Sequence, residues 1–396
     1  MVEYNPFSEE VMTDPYPVYR RLRDEAPAYY IEEYDCWVLS RFEDIWTASM
    51  DADSYSTEQG TTSAQLLTKV QPVTPMLNLI DPPRHTYLRS RIRGYFQPRN
   101  VAELEPRVRE FAMECIHSFS EKGECDVMGD FSSQIAVKVA CMINGFPVED
   151  GDLLVALVQR FFARQEGVVG MTEDGVAAAM EMGAYFEELV KARRKAAQAQ
   201  DDVVNAFVTA DLDGRPLEPA EIGTHLSMLL IGGAETFPKV FANATYRLFQ
   251  HPDQRAALVA DQSLIPDAFT ELLRYDMPTQ FLGRVLKQDV EIHDQIMRKG
   301  QVVLFVYPSG NRDEREFENP DVIDIRRQPP RILSFGHGTH ACLGINVARL
   351  EGKVCMELLF RYMPDYVVET DRLVRLRTEF VQGFESVPIK FKPFRV

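Results

Sequence analysis

The ten residues Phe335-Gly336-His337-Gly338-Thr339-His340-Ala341-Cys342-Leu343-Gly344 constrain this chain more than any other stretch. They follow a proline pair, Pro329-Pro330, and run into an amphipathic segment. Leu343, Val347, Leu350, Val354 and Leu358 recur at spacings of four, three, four and four, one face of a helix. Cys342 is therefore predicted to sit at a helix N-terminus, where unpaired N–H groups and the positive dipole end favour a thiolate. Gly336, Gly338 and Gly344 let the backbone turn tightly and approach a bulky planar group. The other cysteines (Cys36, Cys115, Cys125, Cys141 and Cys355) show no paired spacing, as expected of reduced cytosolic thiols. A thiolate alone in such a loop suits one position on a soft metal. Taken only as a helix cap, the same loop would carry a buried structural cysteine.

A second constraint lies between Pro219 and Gln250. Leu226, Met228, Leu229, Leu230 and Ile231 precede Gly232-Gly233-Ala234-Glu235-Thr236-Phe237-Pro238. A helix apolar all round is buried, so this one is expected to cross the protein. Pro238 lacks an N–H, so the Ala234 carbonyl loses its helical donor, and the glycine pair adds a second cause for a kink. A kink frees carbonyls for a ligand or water. Standing alone, Thr236 reads as back-bonded to a helix carbonyl and Glu235 as turned to solvent.

Three weaker signals follow. In Asp81-Pro82-Pro83-Arg84-His85, Pro83 can start a helix with Asp81 as a nearby N-cap. His85 and Arg89 then share one face and suit a carboxylate, although such a pair alone is usually a surface feature. Glu271 and Arg274 are three apart on a predicted helix from Pro266. Arg284 falls in a predicted strand from Met277 to Leu286, where an isolated arginine would face solvent.

The cysteine loop resembles that of the cytochrome P450 family, where Phe-Gly-x-Gly-x-His-x-Cys-x-Gly carries the proximal haem ligand. The other signals occur in that family's order along nearly the whole chain. The resemblance implies one P450 domain over residues 1–396, mainly α with small β-sheets, with haem b (iron protoporphyrin IX) held by Cys342. It implies that Phe335, Gly336 and Gly344 flank the cofactor, and that His85, Arg89, Arg284 and His340 contact its carboxylates. Glu271, Arg274 and Arg327 become a buried charge network bracing the loop, and Asn311-Arg312-Asp313 resembles the triplet the family carries after a strand. Thr236 becomes the hydroxyl that bonds iron-bound O2, and Glu235 the acid of a proton relay. Phe237 and Pro238 depart from the family pattern at that point. Met76, Leu77, Phe161, Met228, Gln280, Phe281 and Phe384 are candidate pocket residues, and the segment 167–170 a candidate gate. Phe384 is expected near a turn at Gly383.

The implied reaction is insertion of one oxygen atom from O2 into an apolar small molecule such as a terpenoid, steroid, fatty acid or aromatic compound. Electrons would come from NAD(P)H through a separate, acidic ferredoxin-type partner, with Arg91, Arg93 and Arg99 as its docking patch. The competing readings are a peroxide-driven peroxygenase and a haem protein that only binds gas or carries electrons. A net charge of −17 argues against nucleic acid and anionic membranes as partners. No run of about 18 apolar residues is present and the first residues lack a secretory pattern, so a cytoplasmic monomer without a membrane span is expected.

Overall fold

The computed structural model describes residues 2–67, 75–163, 165 and 171–395. Helices carry most of the chain and the strands are short, as expected of a mainly α protein with small sheets. The largest apolar cluster joins Phe111 and Ile116 of Glu105–Phe119, Ile135 and Val139 of Ser133–Asn144, and Met182 and Phe186 of Glu173–Lys195. Leu226 and Leu230 of Pro219–Ala234, Phe241 of Thr236–Gln250 and Val354 of Ile345–Tyr362 complete it. Ile135 and Val139, Met182 and Phe186, and Leu226 and Leu230 each lie four apart, so one face of each of those helices is apolar. Burying each large side chain contributes about 1.5–3 kcal/mol.

A five-stranded sheet runs in the order Ala28–Ile31, Cys36–Leu39, Val302–Phe305, Leu282–Leu286, Tyr55–Ser56. Alternate residues face opposite sides of a strand. Trp37, Leu39, Val303 and Phe305 enter one apolar cluster, while Cys36, Val38, Val302 and Leu304 enter another. Arg284 pairs with Val303, so it shares the face of Val303 and Phe305. The arginine expected on a solvent-facing strand is thus committed to a buried face.

Several boundaries differ from the sequence reading. The expected strand from Met277 shortens to Leu282–Leu286, because the backbone before it bonds to the chain near Phe380 and Gln382 instead. The Glu173–Lys195 helix starts where Thr172 Oγ1 caps the Gly175 N–H. Gly383 lies inside the strand Gln382–Ser386 rather than at the turn. A Cβ there would come within 2.9 Å of Asn243 Oδ1, so the strand's close approach to the Thr236–Gln250 helix requires glycine. Asp81 does not cap the Arg84–Ile92 helix with its side chain; that carboxylate accepts from the Thr57 N–H at 3.0 Å.

Candidate functional site

The cysteine loop is closed by the Cys342 N–H, which donates to the Phe335 carbonyl at 2.7 Å. Gly336 and Gly338 adopt φ of +63° and +70°, a region that favours glycine. A Cβ at Gly338 would stand 2.1 Å from the Ser49 carbonyl oxygen, so the loop is pressed against the Phe42–Met50 helix. The His337 ring stacks on Trp46 with centroids 3.4 Å apart. Asn311 ties down the approach: its Oδ1 accepts from the Leu333 N–H at 2.7 Å and its amide donates to Ser334 Oγ at 2.8 Å.

Cys342 lies before the helix rather than on its first turn. The helix begins at Ile345, with Gly344 as N-cap. Protein surrounds Cys342 on every side, yet its surface remains accessible, so it faces an internal space. Burial pushes its thiol above the usual range, opposed by the Gly344 N–H and the Arg89 guanidinium. A helix start alone favours the thiolate, the opposite direction, but loss of hydration on burial outweighs it here.

An ion network with a buried Glu271–Arg274 pair at its centre and a partly exposed Arg327 supports the loop from behind. Glu271 accepts from Arg274 Nε at 2.7 Å and Nη2 at 2.8 Å, from Arg327 Nε at 3.1 Å and from the Asp324 N–H at 3.1 Å. Arg274 Nη1 donates to the carbonyls of Asn311 at 2.7 Å and Pro320 at 2.9 Å. Glu271 and Arg274 show no exposed side-chain surface. The bonds from Arg327 and the Asp324 N–H to Glu271, and from Arg274 to Asn311 and Pro320, tie the Ile265–Tyr275 helix to the chain that leads into the cysteine loop.

The remaining polar groups near Cys342 have the opposite character. His85 is 1% exposed, its ring centroid lies 4.2 Å from that of His340, and its Nδ1 has no partner. Burial lowers His85 to about 4 and His340 to about 2, helped by the neighbouring Arg89 and, at His340, by His85 and Arg284. Arg89 Nη2 donates to the Ala341 carbonyl. Arg284 donates to the Gly283 carbonyl at 2.7 Å and lies over the Phe305 ring. Among the described residues neither arginine forms an ion pair. Asp81, the nearby acid, is engaged by Thr57 and lies 3.5 Å from Lys287. Two guanidiniums and two uncharged imidazoles thus converge without a counter-charge, an arrangement that costs free energy unless an anion completes it. A planar group with two carboxylates and a soft metal fits both this cluster and the Cys342 thiol beside it.

A family model described as Cytochrome P450 matches residues 157–370. Cytochrome P450 130 of Mycobacterium tuberculosis is 34% identical over 399 residues, covering 98% of each chain. Vitamin D(3) 25-hydroxylase of Pseudonocardia autotrophica is 32% identical over 400 residues, covering 99% of this chain and 97% of its own. The crystal structure of CalO2 superposes with a TM-score of 0.89 at 26% identity, covering 99% of this chain and 100% of that one.

The chain belongs to the cytochrome P450 family. It is accordingly a P450 monooxygenase whose cofactor is a haem iron.

The helix of this P450 expected to cross the protein is two helices, Pro219–Ala234 and Thr236–Gln250, broken at Glu235. The break falls where the missing Pro238 N–H predicts it. Gly233 is needed for packing, since a Cβ there would sit 2.9 Å from Ala140 Cβ. Met228, Gly232 and Thr236 lie four apart and keep accessible surface. A Cβ at Gly232 would approach only Met228, at 3.8 Å, and one at Gly344 would meet nothing within 4 Å. Both glycines leave room for a bulky group. Glu235 is not turned to solvent: its carboxylate is ion-paired with Lys239 one turn on.

The candidate pocket residues divide. Met76, Phe161 and Met228 keep accessible surface, whereas Leu77 is buried in the main apolar cluster. Gln280, Phe281 and Phe384 present no surface to any open space. Gln280 is occupied by Tyr19 Oη and the Met277 and Pro278 carbonyls. Phe281 is fully buried beneath the sheet, and Phe384 packs against Tyr246. The segment 167–170 lies outside the described residues. Sequence reasoning missed Lys239, although its spacing of four from Glu235 on one helix was the available signal. It also gave His337 no role, and a histidine in a loop offers no periodicity that would reveal Trp46 as its partner.

Proposed function

We propose that this P450 inserts one oxygen atom from O2 into an apolar small molecule, drawing electrons from NAD(P)H through a separate acidic ferredoxin-type protein. The observation that carries this reading is the counter-charge-free cluster of His85, Arg89, Arg284 and His340 beside Cys342. In this proposal the four side chains hold the two haem carboxylates, and Cys342 holds the iron. Phe335, Gly336 and Gly344 flank the cofactor. When bound, the haem supplies oxygen activation, which thiolate donation favours. Thr236 and Glu235 hold protons at the open side of the broken helix, a general-acid role. Met76, Leu77, Phe161 and Met228 line the space for substrate and exclude water from it.

A relative's name, Vitamin D(3) 25-hydroxylase, supports a steroid-sized apolar substrate, as does a lining of methionine and aromatic side chains. Arg91, Arg93 and Arg99 are exposed and form no ion pair among the described residues, which suits an acidic electron donor. No helix among the described residues is long and apolar enough to cross a membrane. We place the enzyme in the cytoplasm as a monomer, with the chain acting as one unit.

The test is spectroscopic, then catalytic. The reduced, CO-bound protein should show the red-shifted Soret band of a thiolate ligand, and Cys342→His should abolish that shift. Turnover with NADH, a ferredoxin and its reductase should exceed turnover with peroxide alone. Peroxide-only activity would favour the peroxygenase, and no turnover with either would favour a gas or electron carrier.

A further inference from the structure

One segment, residues 57–66, touches two members of the cluster of His85, Arg89, Arg284 and His340. It follows the edge strand Tyr55–Ser56 and carries on along the strand Leu282–Leu286. Thr57 Oγ1 lies 3.4 Å from His340 Nε2 and donates to Asp81 at 3.2 Å. Further on, the Thr61 carbonyl accepts from the Gly283 N–H at 2.7 Å, and the Gly283 carbonyl accepts from Arg284 Nη1. Leu66 is 5% exposed, and a Cβ at Gly283 would stand 2.1 Å from its Cδ1, so the leucine fills the space that the glycine leaves. Within the segment, Gln65 Oε1 accepts from the Thr61 N–H at 2.9 Å and the Thr62 N–H at 3.3 Å. A further tie comes from Ser63. Its hydroxyl is 1% exposed and donates to Glu379 Oε1 at 2.5 Å. Glu379 stands at the tip between the strands Val374–Arg377 and Gln382–Ser386. That tip is itself held, because the Phe380 carbonyl accepts from the Gln280 N–H at 2.8 Å and Thr378 Oγ1 bonds both backbone groups of Val381. A hydrogen bond to a carboxylate is roughly twice as strong as a neutral one, so the Ser63 bond outweighs a single backbone tie.

We infer that the segment 57–66 is a clasp that holds His340 and Arg284 in place for the haem carboxylates, with Ser63 and Glu379 as its latch. This rests on the proposed role of the cluster at those carboxylates and extends it outward, since neither Ser63 nor Glu379 belongs to the cluster. Both are positioning residues. With the latch closed, Thr61 and Leu66 fix Gly283, Gly283 fixes Arg284, and Thr57 limits the movement of the His340 ring. With the latch open, the two cluster side chains gain freedom, and ordering them again opposes haem binding.

Two measurements test this, and neither uses turnover. The first is hydrogen exchange of the Gly283 amide in the haem-free protein. That N–H is covered by the Thr61 carbonyl, so its exchange reports docking of the segment. Ser63→Ala and Glu379→Ala should each speed it roughly 10-fold, the factor for losing one charge-assisted bond. Glu379→Gln keeps a carbonyl acceptor and should stay near wild type. Unchanged exchange at Val354, buried in the Ile345–Tyr362 helix, establishes that each variant is folded. The second measurement is transfer of haem from the loaded protein to apomyoglobin. Ser63→Ala and Glu379→Ala should release haem up to roughly 10-fold faster than wild type, Glu379→Gln should rescue most of that loss, and Arg284→Leu should release it faster still. Unchanged Gly283 exchange, or unchanged haem loss, in both Ser63→Ala and Glu379→Ala overturns the inference when Arg284→Leu still speeds haem loss. Unchanged haem loss in Arg284→Leu would instead overturn the reading of the cluster as the carboxylate site.

Discussion

The chain behind Cys342 and the space in front of it are built by different means. Behind, Glu271, Arg274, Arg327 and Asn311 satisfy one another and the backbone through short, buried bonds. By contrast, Met228, Gly232 and Thr236 at the helix break keep accessible surface. The first region has one low-energy arrangement, because moving any member leaves a charge buried without a partner. The second has few bonds to break and can change shape at small cost.

The largest expected effect would break the rear network. Glu271→Ala leaves Arg274 buried and unpaired and should cost about 3–5 kcal/mol. Haem content after purification should collapse, and a variant with full haem would remove the bracing role. Next is Phe281→Ala, which empties a fully buried position and should cost about 3–5 kcal/mol in a denaturant titration. Its substrate-induced spin shift should keep the wild-type midpoint; a changed midpoint would return Phe281 to the pocket. A smaller effect is expected from Arg284→Leu. Losing one charge-assisted bond to a carboxylate, worth about 1.5–3 kcal/mol, should weaken haem binding on the order of 10–100-fold. Transfer of haem to apomyoglobin would measure it.

The smallest effect concerns pH. In the folded, haem-free chain His85 stays neutral down to about 4, whereas unfolding returns it to the ordinary value of 6.5. The unfolded state therefore binds the extra proton between those values, and stability falls as pH drops from 6.5 towards 4. His85→Asn should reduce that slope in haem-free protein, and haem loading should reduce it in wild type by giving the imidazole an anion. A slope equal in all three would exclude His85 as a contributor.

The same contrast explains what could be read in advance. The cysteine loop, the Glu271–Arg274 pair and the helix break at Glu235 were legible because each depends on a local rule: a glycine-bounded loop, a helical spacing, the N–H missing at Pro238. The burial of Arg284 was not, since it follows from pairing with Val303, a strand that begins 18 positions later. Gln280, Phe281 and Phe384 were misplaced for a related reason. Chain position puts them near the site, but side-chain direction there is set by bonds to Tyr19 and by packing on Tyr246. The direction of the Cys342 shift needed the depth of the loop, which no local rule supplies.

The stack of His337 on Trp46 has an optical consequence. The chain contains two tryptophans, Trp37 and Trp46, and only the second touches the cysteine loop. With Trp37 replaced by phenylalanine, all indole emission would come from a ring in face-to-face contact with that loop. Undocking of the loop from the Phe42–Met50 helix would then be visible as a change in fluorescence, with no added label and no need for catalysis.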